Sequence, residues 1–143
     1  MDPKDTRALI LRAAWTRLGS AYLLGGKWPL EQAAPTGPID CSGFVRWAYA
    51  QGGLIIPDGS YNQFADSVAI VAPDLPLPGD LGFFRDEQGH VHHVGMLYDE
   101  DQVIEARGNP YNSVIFRPRA AWEAWREFTG WRRPNTWRMA NGS

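Results

Sequence analysis

The sequence predicts an α+β domain, with helices first and an antiparallel sheet after them. Two observations carry this expectation. Apolar residues recur at helical spacing in the first half of the chain. Past Pro78-Gly79 the pattern changes to short apolar runs separated by turn residues, with no strand–helix alternation to build a doubly wound parallel sheet. At 143 residues the chain reads as one domain, 1–143, long enough to bury a core without staples.

Residues 5–18 read as an amphipathic helix, with Leu9, Ile10, Ala13, Ala14 and Leu18 on one face and Arg7, Arg12 and Arg17 outward. Gly19-Ser20 ends it. Tyr22 and the pair Gly25-Gly26 follow; paired glycines allow positive φ or close approach of another backbone. Residues 27–39, with Pro29, Pro35, Gly37 and Pro38, form an ordered loop. A second helix starts at Cys41 behind the N-cap Asp40 and stops at Gly52-Gly53. Leu54 to Pro57 is extended, and Ser60 to Val68 reads as a short helix.

Strands are expected at Leu81–Phe84, His90–Tyr98, Gln102–Arg107 and Asn112–Arg117, the acidic run Asp99-Glu100-Asp101 being a solvated hairpin turn. Residues 119–128 read as helix-like or irregular, and Gly130–Met139 as a last strand. Asn141-Gly142-Ser143 is a glycosylation sequon in a frayed end.

Composition bounds the function. Hydrophobic residues make up 44% and charged residues 21%, ordinary for a soluble globular protein, and the net charge of -2 gives no reason to expect nucleic acid or an anionic membrane as partner. The single cysteine cannot form an internal disulfide. Met1-Asp2-Pro3-Lys4-Asp5 does not read as a secretory signal, and no stretch is long enough to span a bilayer. Synthesis in the cytoplasm is therefore expected, with delivery by a phage particle or secretion machine if the substrate lies outside. Four of the seven tryptophans fall between Trp122 and Trp137, an aromatic core with a wet rim.

Chemistry concentrates at Asp40-Cys41-Ser42-Gly43. A cysteine in the first turn of a helix sits among unpaired N–H groups at the positive end of the helix dipole, which favour thiolate, the nucleophilic form. The same groups can hold an oxyanion. A cysteine nucleophile needs a proton partner, and imidazole suits that work near neutral pH. All three histidines lie in His90-Val91-His92-His93, where strand alternation puts His90 and His92 on one face and His93 on the other. Spacing alone leaves both faces open. Val94-Gly95 after His93 lets a backbone or ligand approach closely, and the turn at 99–101 can bring Glu105 beside His93, where a third polar group would orient the imidazole.

Five segments in this order carry a resemblance: Gly25-Gly26 after Tyr22, Asp40-Cys41-Ser42-Gly43-Phe44-Val45, Pro78-Gly79-Asp80-Leu81-Gly82-Phe83-Phe84, His93-Val94-Gly95-Met96 and Trp131-Arg132-Arg133-Pro134. Together they resemble the NlpC-type family of papain-like cysteine peptidases, which cut peptide bonds in the bacterial cell wall. The resemblance implies a papain-like fold with Cys41 as nucleophile at a helix N-terminus and His93 as general base. It also implies a third polar residue one hairpin later, and Tyr22, Asp40 and Ser42 lining the substrate site. The implied substrate is peptidoglycan or its stem-peptide fragments, cut between D-glutamate, through its γ-carboxyl, and a diamino acid; no cofactor or metal is implied. One departure matters: the family's third residue is more often His, Asn or Gln, and here it is Glu105. A charged carboxylate raises the histidine's affinity for a proton.

Other readings compete. The same Cys-His machinery serves an N-acetylmuramoyl-L-alanine amidase or a small-molecule amide hydrolase, and the fold can survive as a non-catalytic wall-binding or virion module. Zinc ligation by Cys41, His90 and His92 lacks a second sulfur or a well-spaced further ligand. His90 and His92 then read as partly exposed residues at the cleft rim.

Overall fold

In the computed structural model, which describes residues 1–140 and side chains through Arg138, Asp2 caps the first helix by accepting from Lys4 N at 2.8 Å. Pro3 occupies its first turn, where a missing N–H costs nothing. This helix, α1 (Pro3–Thr16), therefore starts and ends earlier than its apolar spacing suggests. After it come α2 (Cys41–Gln51), α3 (Ser60–Ala65), β1 (Ser67–Ala69), β2 (Leu81–Arg85), β3 (Val91–Leu97), β4 (Gln102–Arg107), β5 (Ser113–Pro118), α4 (Arg119–Ala124), β6 (Phe128–Pro134) and α5 (Thr136–Ala140). The strands form one antiparallel sheet in the order β1-β6-β2-β3-β4-β5.

Strand alternation divides the core in two. Leu81, Phe83, Val94, Met96, Ile104 and Ala106 point into a cluster shared with Phe44, Val45, Trp47 and Ala48 of α2 and Ile10 and Ala14 of α1. Phe84, Leu97 and Val103 point the other way, into a cluster closed by Trp122 of α4 and Trp131 of β6. Both faces of the central strands are thus buried, so β2 is continuously apolar from Leu81 to Phe84 and not alternating.

A buried charge cluster locks the start of the sheet. Asp80, fully buried, receives Arg133 through both carboxylate oxygens at 3.0 and 2.7 Å and Arg7 at 3.1 Å. A buried carboxylate is tolerable when paired and hydrogen-bonded in this way. Arg7, expected to face solvent, is instead drawn inward, its guanidinium 4.4 Å from the centre of the Trp137 ring. Beside it the Tyr49 hydroxyl donates to Gly79 O at 2.5 Å and accepts from Trp137 Nε1 at 3.0 Å, tying α2 to the turn before β2.

Three further expectations change. The helix read over Ser60–Val68 ends at Ala65, and Ser67–Ala69 becomes an edge strand because β6 offers it a partner. The last strand ends at Pro134, beyond which α5 begins, so Gly130–Met139 is not one strand. Leu18 is 37% exposed and contributes no core. The expected frayed end at 141–143 lies outside the described residues. Among the described residues no helix is long and apolar enough to cross a membrane.

Candidate active site

The helix that carries Cys41 begins where it does because of Asp40. Its carboxylate accepts from Gly43 N at 2.7 Å, an N-cap bond, while its backbone carbonyl accepts the first helical hydrogen bond from Phe44 N at 3.0 Å. Cys41 is therefore the first helical residue, among first-turn N–H groups that have no partner within the helix. Two glycines bring the preceding loop against this start. A Cβ at Gly43 would lie 2.8 Å from Asp40 Oδ1 and 3.1 Å from Gly26 O, and one at Gly26 would lie 2.7 Å from Pro38 O. Gly25 has φ +84°, which turns the loop there.

His93 enters from β3. Beyond the Met96–Ile104 pair the β3–β4 register puts Gly95 opposite Glu105 and His93 one step diagonal to it, on the same face. His93 Nε2 and Glu105 Oε1 are 2.5 Å apart. Glu105 is fully buried and also accepts from Arg107 Nη1 at 3.2 Å. The imidazole is walled by Phe84, ring centre 5.3 Å away, and by Trp122 at 6.3 Å. Gly95 serves this wall, and the occupant of the space is an aromatic ring, not the backbone or ligand that the sequence suggested. A Cβ there would lie 2.7 Å from Trp122, and one on its β2 partner Gly82 would lie 2.5 Å from the same ring.

Cys41 lies near enough to His93 to influence its titration. Burial opposes the charged imidazole, but hydrogen bonds and negative charge from Cys41 and Glu105 outweigh it and push the His93 pKa up to about 9. Burial alone would raise Glu105; the hydrogen bond and positive charge of His93, with that of Arg107, bring it below its usual range instead. Cys41 lies deep, retaining 9% of its surface, and is not sealed off.

The other three expected residues surround the helix start. Tyr22, half-buried, lies near enough to Cys41 and Asp40 for their charges to add to burial in raising its pKa, and its ring packs over Gly108 at the end of β4, where a Cβ would lie 3.1 Å from Cε1. Asp40 and Ser42 both bond Lys27: Nζ lies 2.8 Å from Asp40 Oδ2 and 3.2 Å from Ser42 Oγ. Lys27 also bridges to Asp58 at 2.7 Å, joining the loop before α2 to the loop before α3. Gln63 of α3 donates to Ser42 O at 3.0 Å. Sequence reasoning missed Lys27, Asp58, Gln63, Arg107 and Trp122; the only available signal was the position of Lys27 directly after Gly25-Gly26.

His90 and His92 are not drawn into this cluster. His92 lies 2.8 Å from Glu127 and His90 lies 3.5 Å from Asp86, both exposed.

Residues 19–128 match the NlpC/P60 family. A protein of Listeria seeligeri described as a probable endopeptidase p60 is 37% identical over 100 residues, covering 70% of this chain but 17% of its own length. The chain spans no more than 27% of the length of the first several curated relatives it matches. Among solved structures, the peptidoglycan hydrolase RipB of Mycobacterium tuberculosis is 28% identical with a TM-score of 0.72, covering 90% of this chain and 64% of that one. RipD of the same organism, described as a non-catalytic NlpC/p60 domain protein adapted to peptidoglycan binding, is 21% identical with a TM-score of 0.69, covering 89% of this chain and 95% of that one. At that identity the second likeness concerns the fold alone.

Proposed function

The chain belongs to the NlpC/P60 family, and from that premise and the chemistry of its cleft we propose that it is a cysteine endopeptidase that cuts peptidoglycan stem peptides, with the γ-D-glutamyl–diamino acid bond as target. The observation that supports this best is a single imidazole that pairs with a buried carboxylate at 2.5 Å and lies near enough to the only thiol to be raised by it.

In this reading the Cys41 sulfur attacks the scissile carbonyl as thiolate, and the first-turn N–H groups of α2 hold the resulting oxyanion. Glu105 fixes the His93 ring through Nε2 and leaves Nδ1 for the sulfur and the reacting atoms. Charged His93 gives its proton to the leaving amine, which departs as the acyl-enzyme forms. Neutral His93 then takes a proton from water, whose oxygen attacks the thioester and frees the new carboxylate and Cys41. Arg107 keeps Glu105 charged through both steps. Tyr22, Asp40 and Ser42, with Lys27, form the polar wall that receives the acyl half of the substrate.

Digestion of purified peptidoglycan, with Cys41→Ala as control, tests the assignment. A new amine on the diamino acid is the expected product. A freed lactyl group would make the protein an amidase, and wall left intact by the wild-type protein would overturn the hydrolase reading.

A further inference from the structure

On the α4 face of the sheet, behind Glu105, lies a cavity of about 290 Å³ that the proposed reaction does not use. Its walls include Phe84, Arg107, Tyr111, Arg117, Trp122 and Trp125, and no acidic side chain lines it. Arg107 is engaged with Glu105. Arg117 has no ion pair among the described residues: its Nη1 is enclosed without a hydrogen-bond partner, and its guanidinium lies 4.8 Å from the centre of the Tyr111 ring. The guanidinium carries further N–H donors beyond the enclosed Nη1, and with no acidic side chain in the lining they have no carboxylate partner in the cavity.

We propose that this cavity binds the free carboxylate end of a peptide, held by Arg117, with the Tyr111 and Trp125 rings covering the adjoining side chain. A planar carboxylate matches the guanidinium fork, and aromatic walls suit a small apolar body beside it. The volume admits a residue or two and excludes a glycan strand. The proposal rests on the wall-peptide reading, since stem peptides end in such carboxylates; a free carboxylic acid carries the same group. Arg107 lines the same wall and holds Glu105, so a bound end lies one side chain from the candidate catalytic pair.

Calorimetric titration of the full-length Cys41→Ala protein, which cannot turn over, with N-acetyl-D-alanyl-D-alanine and with its C-terminal amide tests the site. The acid is expected to bind at least about tenfold tighter than the amide, the scale of one charge-assisted hydrogen bond. Arg117→Met should remove that preference and Arg117→Lys should restore part of it, with unchanged far-UV circular dichroism showing that both fold. Equal binding of acid and amide, or no effect of Arg117→Met, overturns the site. Acetate binding as tightly as the dipeptide overturns the peptide assignment. Wall digestion by the wild-type protein is scored separately: acid-selective binding without digestion removes the peptidase reading and keeps the site, and digestion without acid selectivity does the reverse.

Discussion

His93 Nε2 and Glu105 Oε1 lie 2.5 Å apart where both side chains are enclosed, 13% and 0% exposed. Burial penalises each charge separately, and the pair holds because each supplies the other's counter-charge, with Arg107 on the far side of the carboxylate. The carboxylate adds to Cys41 in favouring the protonated imidazole, a charge contribution that an amide in this place would not make.

Glu105→Gln removes that charge while keeping a hydrogen-bond acceptor. His93, at about 9 in the native protein against 6.5 for the free side chain, should titrate lower in the variant. Activity should fall by up to roughly 10²-fold, within the range assigned to acid–base catalysis, and its alkaline limb should move to lower pH. Because the folded pKa is raised, the stability that charged His93 contributes is complete below about 6.5 and is lost as pH rises through about 9. Thermal melts of the variant should show a weaker dependence, because the Cys41 contribution to the raised pKa remains. NMR titration of the His93 ring checks the shift directly.

Gly95→Ala introduces a methyl group 2.7 Å from the Trp122 ring. Gly82, Phe84 and Trp131 already crowd this ring, so the added methyl must push it out of its packed position. Overpacking should cost about 1–3 kcal/mol in denaturant unfolding. Since Trp122 also walls His93, the rate of Cys41 alkylation should change in the same variant.

Lys27→Met and Asp40→Ala separate two roles that meet at one carboxylate. Lys27 is 37% exposed at its side chain, so its ion pairs with Asp40 and Asp58 should contribute under about 1 kcal/mol. Asp40→Ala removes the N-cap bond to Gly43 and should cost about 1–2 kcal/mol. Lys27→Met is expected to raise KM more than it lowers kcat, because Lys27 touches the polar wall of the cleft and not His93.

Tyr49→Phe tests the frame without touching the site. It leaves Gly79 O without its donor and Trp137 Nε1 without its acceptor, all in the buried interior. A loss of about 1–3 kcal/mol in stability is expected, with the alkylation rate of Cys41 unchanged.

Local chemistry made much of this legible in advance. Asp40 and Gly43 announce the helix start that presents Cys41, and the short turn at 99–101 brings Glu105 under His93 whatever the rest of the fold does. What stayed hidden depends on partners distant in the chain. Ser67–Ala69 has no strand signal of its own and becomes β1 only because β6, more than sixty residues later, lies alongside. Arg7 looked like a solvent-facing helix residue until Asp80, 73 positions away, gave it a buried partner. The glycine at 95 announced a close approach but could not say that the ring of Trp122 fills it. Lys27 stands directly after Gly25-Gly26, but its role follows from three groups, Asp40, Ser42 and Asp58, that only the folded chain brings together.

The central claim is that Cys41 and His93 act as one unit. The rate at which iodoacetamide alkylates Cys41 near pH 6, in the wild-type protein and in His93→Ala, tests it most directly. The account predicts alkylation far faster than that of an ordinary thiol at this pH, with most of the advantage lost in His93→Ala. A thiol that reacts at the ordinary rate, or one indifferent to the loss of the imidazole, would contradict it.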